Sequence, residues 1–512
     1  MKILLLNPPA PAAGWYQLEH LGLGYIAAVL RQDGHDVVIL DANLEGWDAD
    51  HTSRAAVAQG PYELIGLTAM EPQTFQTGMA IIAALSGPEN TPRIIAGGYF
   101  ATFWGAQIMA AYPAIDAVVL GEGEQTIVEL VRAMQNGGPT TGVPGTLYRR
   151  DGQVLCAPAR PLLADLDRLP FPARDYVRRS YERHHVAGLY GSRGCCHKCT
   201  FCQISRFYRL SPGAPYRTRS AANIVAEIEQ LRHEHGIHNF LFVDDEFIEG
   251  SRRRTAVIRD LCHTIRRREL DVGFAIQYRA DHGHQRDLLI ALKGVGLSTV
   301  FIGVESGIDS VLARYEKGIT RRTITTALAV ARELELSLIV GYILFDPDTT
   351  FDELRANVAY LSSDEAPTVL DLHGMIVLKG TPDEARLRRE GRLKEEGFQL
   401  LHPAIDADVQ AFKHLLAQYY PFSSPAVRDI YRLHLMVGRF AAQDRPPAHH
   451  AAAGLLGELR RLHQTFLQRA IDDVTARRDG NGWLDELRAA HVELAQRSSR
   501  LVAAWEIPLA AR

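Results

Sequence analysis

Four of the six cysteines lie within eight residues, in the stretch RGCCHKCTFC. Cys195, Cys199 and Cys202 have the spacing C-x3-C-x2-C, and the aromatic Phe201 precedes the last of them. Three thiolates can hold three irons of a cubane [4Fe–4S] cluster, whereas a cluster that only transfers electrons usually takes four. An iron without a protein ligand is open to a substrate or cofactor. The spacing therefore predicts a cluster with one reactive iron.

A zinc knuckle is the alternative for this stretch, because its four cysteines and His197 include enough ligands for a four-coordinate zinc. Zinc ligands usually come as two separated pairs, and no second pair follows at zinc-ribbon distance. We therefore favour the cluster. Cys196 is not expected to be a ligand, since its neighbour already takes the first position.

The cysteine spacing and its aromatic resemble the signature of the radical SAM superfamily. In that family the open iron binds the amino and carboxylate groups of S-adenosylmethionine (SAM). An electron from the cluster then cleaves SAM to methionine and a 5′-deoxyadenosyl radical. The resemblance implies a low-potential electron donor, such as flavodoxin or ferredoxin, as a partner.

Length and composition exclude several other classes of protein. A chain of 512 residues with a net charge of −4 predicts two or three domains and has no basic surplus that would suggest nucleic-acid binding. No apolar run approaches the ~20 residues needed to cross a bilayer. The cysteines are clustered rather than paired, and an oxygen-sensitive cluster suits a reducing compartment. We therefore expect a cytoplasmic protein without a membrane span.

Residues 1–150 alternate apolar strands with helical segments, which indicates an α/β fold with a doubly wound parallel sheet. Such sheets bind ligands at the carboxyl ends of their strands. Leu21–Arg31 is the clearest helix. The predicted strands are Lys2–Asn7, Val37–Leu40, Leu64–Thr68, Arg93–Ala96 and Ala117–Leu120.

A dinucleotide is one candidate ligand of this sheet. Gly22 and Gly24 begin the sequence GLGYIA, which fits G-x-G-x-x-A, and Asp41 follows the next strand where a ribose-binding acid would lie. The fingerprint requires its first glycine at the turn that leaves the first strand, however. Here residues 8–21 intervene, which disfavours this interpretation.

Cobalamin is the other candidate. The stretch resembles the cobalamin-binding domain that precedes many radical SAM cores, through the sequences NPP, HLGLGYIA, GGYFAT and GEGE. There, loops at the strand ends pack against the corrin and its dimethylbenzimidazole tail, and small residues allow a close approach. The resemblance implies cofactor contacts from Gly22, Gly24, Gly66, Thr68, Gly97, Gly98, Gly121 and Glu122.

The better-known cobalamin motif D-x-H-x-x-G is missing from residues 1–150. Its nearest spelling begins at Asp41 and has Asn43 in place of the histidine. We therefore predict that no histidine of that motif ligates the cobalt, as in the radical SAM subgroup that this stretch resembles.

A proline-rich linker over 151–184 precedes a second run of strands over 185–382, and 383–512 read as a helical region. By analogy with the family, the second run forms a partial (β/α)6 barrel of the TIM type, with chemistry at the carboxyl ends of its strands. The predicted strands are His185–Tyr190, His238–Val243, Val272–Gln277, Thr299–Val304, Ser337–Leu344 and a last strand near Thr368–Leu378.

Residues at these strand ends match positions that contact SAM in the family. The resemblance places Asp244 and Glu246 at the methionine amino group and Arg279 at the carboxylate. Glu305 and Ser306, within GVESG, match a strand that reaches the ribose or methionine moiety. The alternative for each acid is a helix N-cap or a loop salt bridge.

Helical periodicity predicts C-terminal helices at Asp383–Lys394, Val409–Tyr419, Pro425–Phe440, Gly454–Ala476 and Trp483–Trp505, with a loop over Ala441–His450. The bundle either caps the barrel mouth or packs without touching ligand.

Taken together, these features predict a cobalamin-dependent radical SAM enzyme, with methyl transfer to an unactivated carbon as the favoured reaction. A cyclase, ring-contracting enzyme or oxidase that uses the same cofactors is the first alternative. A non-catalytic iron–sulfur or zinc protein is an alternative from another class. The substrate is expected to be a small molecule or natural product.

Overall fold

Two parallel sheets, one in each half of the chain, organise the molecule. The computed structural model describes residues 1–10, 18–87, 91–136, 140–440, 446–478 and 481–506. In the first sheet, β1–β5 are parallel and lie in the order β2-β1-β3-β4-β5, and the antiparallel β6 and β7 complete its edge. Its strands are β1 Lys2–Asn7, β2 Asp36–Asp41, β3 Leu64–Thr68, β4 Arg93–Gly97, β5 Ala117–Val119, β6 Thr146–Arg150 and β7 Gln153–Cys156.

Helices cover both faces of this sheet, which is the doubly wound arrangement that the sequence predicts. Leu4 and Leu6 of β1 join one apolar core, whereas Ile3 and Leu5 point into the other. This alternation explains why the strand is apolar throughout. The helices are α1 Leu21–Gln32, α2 Ala42–Glu45, α3 Ala49–Gln59, α4 Pro72–Leu85, α5 Gly98–Ala111 and α6 Glu124–Gln135.

The hairpin of β6 and β7 extends the first sheet beyond residue 150, where the sequence places the start of a linker. Asp151 and Gly152 form its turn with φ angles of 51° and 77°. Asp-Gly with positive φ is a strong hairpin signal, so the sequence contains the information that predicts this strand pair.

The second sheet contains the parallel strands β8 Ala187–Leu189, β11 Asn239–Phe242, β12 Gly273–Arg279, β13 Leu297–Glu305 and β14 Ser337–Tyr342, in the order β14-β13-β12-β11-β8. Ser220 is the N-cap of the helix Ala221–His235, as predicted, and accepts a hydrogen bond from Asn223 N at 3.1 Å. The helices of this half are α7 Val177–His184, α8 Ile204–Arg209, α9 Ala221–His235, α10 Arg252–Arg267, α11 Arg286–Lys293, α12 Asp309–Arg314, α13 Arg321–Glu333 and α14 Phe351–Ser362.

A short antiparallel pair, β9 Ser192–Arg193 and β10 Arg217–Thr218, frames the cysteine loop. It follows the carboxyl end of β8, so the loop lies at the edge of the sheet where the sequence places the chemistry.

The sixth predicted strand, near Thr368–Leu378, does not form a strand. Two backbone hydrogen bonds join this segment to the end of β14, from Leu344 N to His373 O and from Met375 N to Phe345 O. Gly374 lies against the ring of Phe345, where a Cβ atom would come within 2.4 Å of ring carbon Cε2. The segment follows the strand path without the regular ladder, so the sheet has five strands in the described part of the chain.

The C-terminal region contains a small hairpin and long helices: α15 Pro382–Arg389, β15 Lys394–Glu396, β16 Gln399–Leu401, α16 Ala407–Phe440, α17 Pro446–Ala476 and α18 Asn481–Glu506. The two helices predicted at Val409–Tyr419 and Pro425–Phe440 are one helix, which contains Pro421 and Pro425. Its buried apolar side chains evidently outweigh the backbone hydrogen bonds that the prolines remove.

The loop predicted at Ala441–His450 is wrong for its second half, because α17 begins at Pro446 and includes His449 and His450. Residues 441–445 lie outside the described part of the chain.

Helix α16 packs on the face of the second sheet that α9–α14 leave free. Ala426, Val427 and Ile430 share a core with Ala275 of β12 and Ile339 of β14. Arg432 reaches the amino-terminal end of the sheet, where it donates a hydrogen bond of 2.5 Å to the carbonyl of Arg183. This part of the bundle therefore fills the inner face and the end opposite the cysteine loop, and it does not cap the barrel mouth.

Candidate functional site

A glycine allows the cysteine loop to leave β9. Gly194 has a φ of 87°, and a Cβ atom there would lie 1.8 Å from the carbonyl oxygen of Pro215. Its N–H donates a 2.9 Å hydrogen bond to Oδ2 of Asp245. The loop can begin here only with a residue that has no side chain.

The three cysteines predicted to hold the cluster are free thiols on one short loop. Cys199 is buried, Cys195 and Cys202 are half-buried, and Cys196 is exposed. Burial raises the pKa of the Cys195 and Cys202 thiols, and it raises the pKa of Cys196 to about 11. Deprotonation of these thiols thus calls for a strong counter-charge, which iron supplies.

Arginine side chains surround this loop with positive charge and hydrogen bonds. Nη1 of Arg279 lies 3.4 Å from the Cys199 sulfur. Arg209 donates to the backbone oxygens of Cys196 at 3.0 Å and of His197 at 3.3 Å. Three free thiols on a fixed loop beside buried cations fit an anionic iron–sulfur cluster.

Two acidic residues that follow β11, Asp244 and Asp245, form hydrogen bonds at the start of the cysteine loop. Asp244 is fully buried. Its carboxylate accepts hydrogen bonds from Gly191 N, at 2.9 Å, and from the Ser192 hydroxyl. Burial raises the pKa of Asp245 to about 6, although the Gly194 N–H opposes that shift. Both side chains bond to the loop, and Asp244 also pairs with Arg254 at 3.7 Å, which corresponds to the salt-bridge alternative for that acid.

Glu246 lies at the centre of a group of side chains, of which the sequence analysis did not select His282. Its Oε1 atom is 3.1 Å from Nε2 of His197 and 3.3 Å from Nε2 of His282, and its Oε2 atom accepts from the Cys195 thiol at 3.2 Å. Burial opposes its charge, but the two imidazoles lower the pKa of Glu246 to about 2. This carboxylate therefore stays ionised beside the first cysteine.

Glu305 ends β13 in the left-handed backbone region, with a φ of 64°. Its Oε1 atom accepts a 2.7 Å hydrogen bond from Lys317, a residue that no sequence motif singles out. Burial lowers the pKa of Lys317, but the adjacent Glu305 outweighs this effect and raises it above its usual value. Gly303 makes room for the pair, because a Cβ there would lie 2.8 Å from Glu305 Oε1.

Arg279 and Ser306 lie on neighbouring strand ends but are paired differently. Arg279 donates to Asp281 at 3.1 Å and to the carbonyl of Lys317. Ser306 is fully buried, and its hydroxyl donates to Oδ1 of Asn357 at 3.0 Å. Arg279 therefore faces the cysteine loop, whereas Ser306 is tied to α14.

The residues predicted to contact cobalamin fall into two groups. Thr68 and Gly97 are paired at the carboxyl ends of β3 and β4, and Gly98 follows with a φ of 88°. Gly121 and Glu122 follow β5 at the same edge. A Cβ added at Gly97 would lie 3.8 Å from the Cβ of Val119, whereas one added at Gly98 would lie 2.8 Å from the Thr68 hydroxyl, so the chain is closely packed here. This glycine-rich edge fits a flat macrocycle.

The other three glycines of the prediction serve internal packing. Gly24 lies in α1 against the linker, where a Cβ would be 2.8 Å from the carbonyl oxygen of Ala173. A Cβ atom added at Gly22 would lie 3.0 Å from the ring of His20. Gly66 lies inside β3 against Leu5, at 2.7 Å. None of the three needs a ligand to explain it.

In the structure Asp41, the acid that would bind the ribose of a dinucleotide, is already engaged in other contacts. The Asp41 carboxylate accepts hydrogen bonds from Asn7 Nδ2 at 2.7 Å, His20 N at 3.1 Å and Leu44 N at 3.1 Å. It is buried and already serves as the N-cap of α2. Gly22 lies within α1 rather than at the turn after β1, so the glycine fingerprint is absent as well.

The loop that carries Glu122 touches the cysteine hairpin of the other half. Arg217 donates two hydrogen bonds of 2.8 Å to the Glu122 carboxylate. Arg193 bonds to Glu122 at 3.2 Å and to Glu124 at 2.6 Å. Tyr99 of α5 stacks on Phe207 with a centroid separation of 4.2 Å. The glycine-rich edge and the cysteine loop thus lie against one another.

The doubly wound domain meets the second sheet at its ligand-binding edge, and the second sheet carries the three-cysteine loop. This combination defines an enzyme with two cofactors. The chain matches the B12 binding domain over residues 15–131 and the Radical SAM superfamily over residues 189–361. It is 30% identical over 369 residues to an uncharacterized methyltransferase of Pyrococcus horikoshii, which covers 70% of this chain and 77% of that protein. The chain belongs to the radical SAM superfamily, in the group that carries an N-terminal B12-binding domain.

The chain is also similar to a cyclase and to a solved radical SAM structure. The chain is 28% identical over 369 residues to the anaerobic magnesium-protoporphyrin IX monomethyl ester cyclase of a Synechocystis strain, covering 69% of this chain and 70% of that protein. The solved structure of the cobalamin-dependent SAM radical enzyme OxsB superposes with a TM-score of 0.75 at 18% identity, covering 100% of this chain and 81% of OxsB. At that identity the match shows the shared fold.

The protein is therefore a cobalamin-dependent radical SAM enzyme, whose cofactors are cobalamin, SAM and a [4Fe–4S] cluster. As a radical SAM enzyme it acts on a small molecule and needs a reductant. Among the helices that the structure describes, none is long and apolar enough to cross a membrane.

Proposed function

We propose that this enzyme transfers a methyl group from SAM, by way of cobalamin, to an unactivated carbon of a small molecule or natural product. The observation that carries this proposal is the 30% identity, over 369 residues, to a protein named as a methyltransferase. When bound, the cluster and SAM supply a radical that removes a hydrogen atom from the substrate, and cobalamin supplies the methyl group.

Cys195, Cys199 and Cys202 are proposed to hold the cluster, with Cys196 outside it. Gly194 and the carboxylate of Asp245 orient the loop through the hydrogen bond of 2.9 Å. Because the loop is fixed at its start, the thiols need little reorganisation to bind iron.

Glu246, Arg279 and Glu305 are proposed to bind SAM, since each presents a charge beside the cysteine loop. An ionised Glu246 suits the amino group of SAM, and the Arg279 guanidinium suits its carboxylate. The Glu305–Lys317 pair lies at the end of β13, where the carboxylate can accept a hydrogen bond from a hydroxyl. Asp244 and Ser306 are proposed to act through the backbone that they hold.

Thr68, Gly97, Gly98 and Gly121 are proposed to face cobalamin, because they follow or end neighbouring parallel strands at one edge of the sheet, where such sheets bind ligands. Flavodoxin or ferredoxin is proposed as the low-potential electron donor.

A radical cyclase is the second candidate, because a cyclase matches over the same 369 residues at 28% identity. Such an enzyme needs the radical but no methyl donor. The two candidates therefore differ in whether SAM gives up its methyl group.

The test incubates the anaerobic protein with cobalamin, titanium citrate and SAM that carries a deuterated methyl group. Methyl transfer predicts deuterated methylcobalamin and an equal amount of S-adenosylhomocysteine, before any substrate is known. Formation of 5′-deoxyadenosine with neither of those products would favour the cyclase and overturn the methyltransferase. The Cys196→Ala variant is the matched control and should behave as the wild type.

A further inference from the structure

Two arginines lie opposite each other in the strand pair that frames the cysteine loop. Arg193 of β9 and Arg217 of β10 are register partners. Like charges directly opposite in an antiparallel pair destabilise it. Their side chains are only 10% and 3% exposed, so solvent does little to screen the repulsion.

The compensating charges come from the N-terminal half of the chain. Glu122 accepts two hydrogen bonds of 2.8 Å from Arg217 and one of 3.2 Å from Arg193. Glu124 accepts from Arg193 at 2.6 Å. Two guanidinium groups thus meet two carboxylates, and the group is neutral as a whole.

The backbone that carries Glu122 is itself fixed. Gly121 has a φ of 72°, and its N–H donates to the Thr102 hydroxyl at 3.1 Å. Thr102 belongs to α5, which begins at Gly98 on the proposed cobalamin edge. Glu122 is therefore linked through Gly121 and Thr102 to the proposed cobalamin edge. Arg193 directly precedes the cysteine loop, and Arg217 lies opposite it in the strand pair.

Buried ion pairs contribute little net stability, but separating the partners is strongly destabilising, because it leaves an unpaired buried charge. Bidentate pairing between guanidinium and carboxylate adds directional specificity. Such a group of ion pairs can fix the separation of two domains as well as hold the domains together.

We propose that Arg193, Arg217, Glu122 and Glu124 are positioning residues that set the distance between the cluster and the cobalt. The inference rests on the proposed function, since a methyl group must reach the carbon from which the radical removed hydrogen. The four residues act through the cysteine loop and the cobalamin edge and touch neither reacting atom.

Glu122→Gln is the test variant, because it keeps the size of the side chain and removes its charge. Glu19→Gln is the matched control. Glu19 is also buried and pairs with Arg174, whose other partner is Glu227, so this variant leaves Arg193, Arg217 and their two carboxylates in place. Arg217→Lys is a second variant in case Glu122→Gln fails to fold, since it keeps the charge and loses the bidentate geometry.

The first readout is hydrogen exchange in the cofactor-free protein. In Glu122→Gln the amides of residues 192–194 and 217–218 should exchange about tenfold faster or more, because the unpaired arginines favour local opening. In Glu19→Gln these amides should keep the wild-type rate. Equal rates in all three proteins would overturn the inference.

The second readout is the distance between reduced cluster and cob(II)alamin, measured by pulsed electron paramagnetic resonance. The wild type and Glu19→Gln should give one narrow distribution, and Glu122→Gln or Arg217→Lys a shifted or broadened one. An unchanged distribution in both test variants would overturn positioning and leave the proposed function intact. Wild-type protein with a defined distance but no methylcobalamin formation would instead overturn the proposed function alone.

Discussion

The ammonium group of Lys317 lies 2.7 Å from Oε1 of Glu305, the residue that ends β13. The side chains are 6% and 13% exposed, so the pair is largely shielded from water. Glu305 also has a φ of 64°, a conformation that costs a non-glycine residue of order 1–3 kcal/mol. Such a strained conformation persists only where the surrounding structure holds the residue in place.

We expect Glu305→Gln to lower both stability and SAM affinity. The substitution leaves Lys317 as an unpaired buried charge, which costs roughly 3–5 kcal/mol of unfolding free energy. SAM affinity, measured by equilibrium dialysis, should fall about tenfold, the equivalent of ~1.4 kcal/mol. Glu335→Gln is the control, because Glu335 is 87% exposed and pairs with Lys293 at 3.6 Å. If both variants bind SAM like the wild type, Glu305 has no part in the site.

Replacement of any one of Cys195, Cys199 and Cys202 by alanine should abolish the cluster, since each supplies one of three ligands. Iron after anaerobic reconstitution should drop from about four atoms per chain to near zero. SAM cleavage to 5′-deoxyadenosine should be lost with it. Cys196→Ala should keep both. A fully active Cys199→Ala variant would refute the ligand assignment.

Gly194→Ala should prevent cluster assembly although it leaves every cysteine in place. Its Cβ would lie 1.8 Å from the Pro215 carbonyl oxygen, so the loop must move to accommodate it. Gly236→Ala is the matched control, with a φ of 66° and no atom within 4 Å of the added carbon. It should cost about 1 kcal/mol and retain full iron content. Normal iron in Gly194→Ala would show that the loop tolerates the displacement.

Cob(II)alamin bound to this protein should lack nitrogen superhyperfine splitting in its electron paramagnetic resonance spectrum. Residues 1–150 contain His20, His35 and His51. His20 caps α1, His35 is buried beside the N-terminal amine, and His51 stacks on Trp47 with centroids 4.6 Å apart. A triplet splitting on the cobalt lines would reveal a nitrogen ligand and contradict the prediction.

Acid should destabilise the C-terminal bundle through His463. Burial, with His491 nearby, lowers its pKa from 6.5 to about 3. The unfolded chain therefore binds a proton that the folded bundle excludes between these values, and stability falls as the pH drops below about 6.5. From pH 6.5 to 5 the loss is about 2 kcal/mol. Thermal unfolding midpoints at several pH values would measure it.

His463→Gln removes the titrating ring, so its midpoint should fall less steeply with acid than that of the wild type. His414→Gln is the control, since His414 lies on an exposed face of the same bundle. Parallel pH profiles for wild type and His463→Gln would exclude this histidine as the cause.

The sequence alone predicts much of the framework, because its signals are local. The apolar strand Lys2–Asn7 and the helix Ala221–His235 with its Ser220 cap have the predicted bounds. Where long-range packing competes, local signals fail. Pro421 and Pro425 indicate a helix end, yet α16 continues through both because its apolar face is buried.

The cysteine spacing and the motifs of both domains determined the family and its cofactors, since they record which atoms a cluster or corrin needs. Only the tertiary structure decided how those residues are held. Lys317 pairs with Glu305 across 12 positions of sequence, and Arg217 pairs with Glu122 across 95. Neither pair has a local pattern, because a salt bridge requires only that two charges meet in space. The carboxyl end of β13 brings Lys317 to Glu305 within one half of the chain, whereas Arg217 meets Glu122 only because the two halves pack against each other.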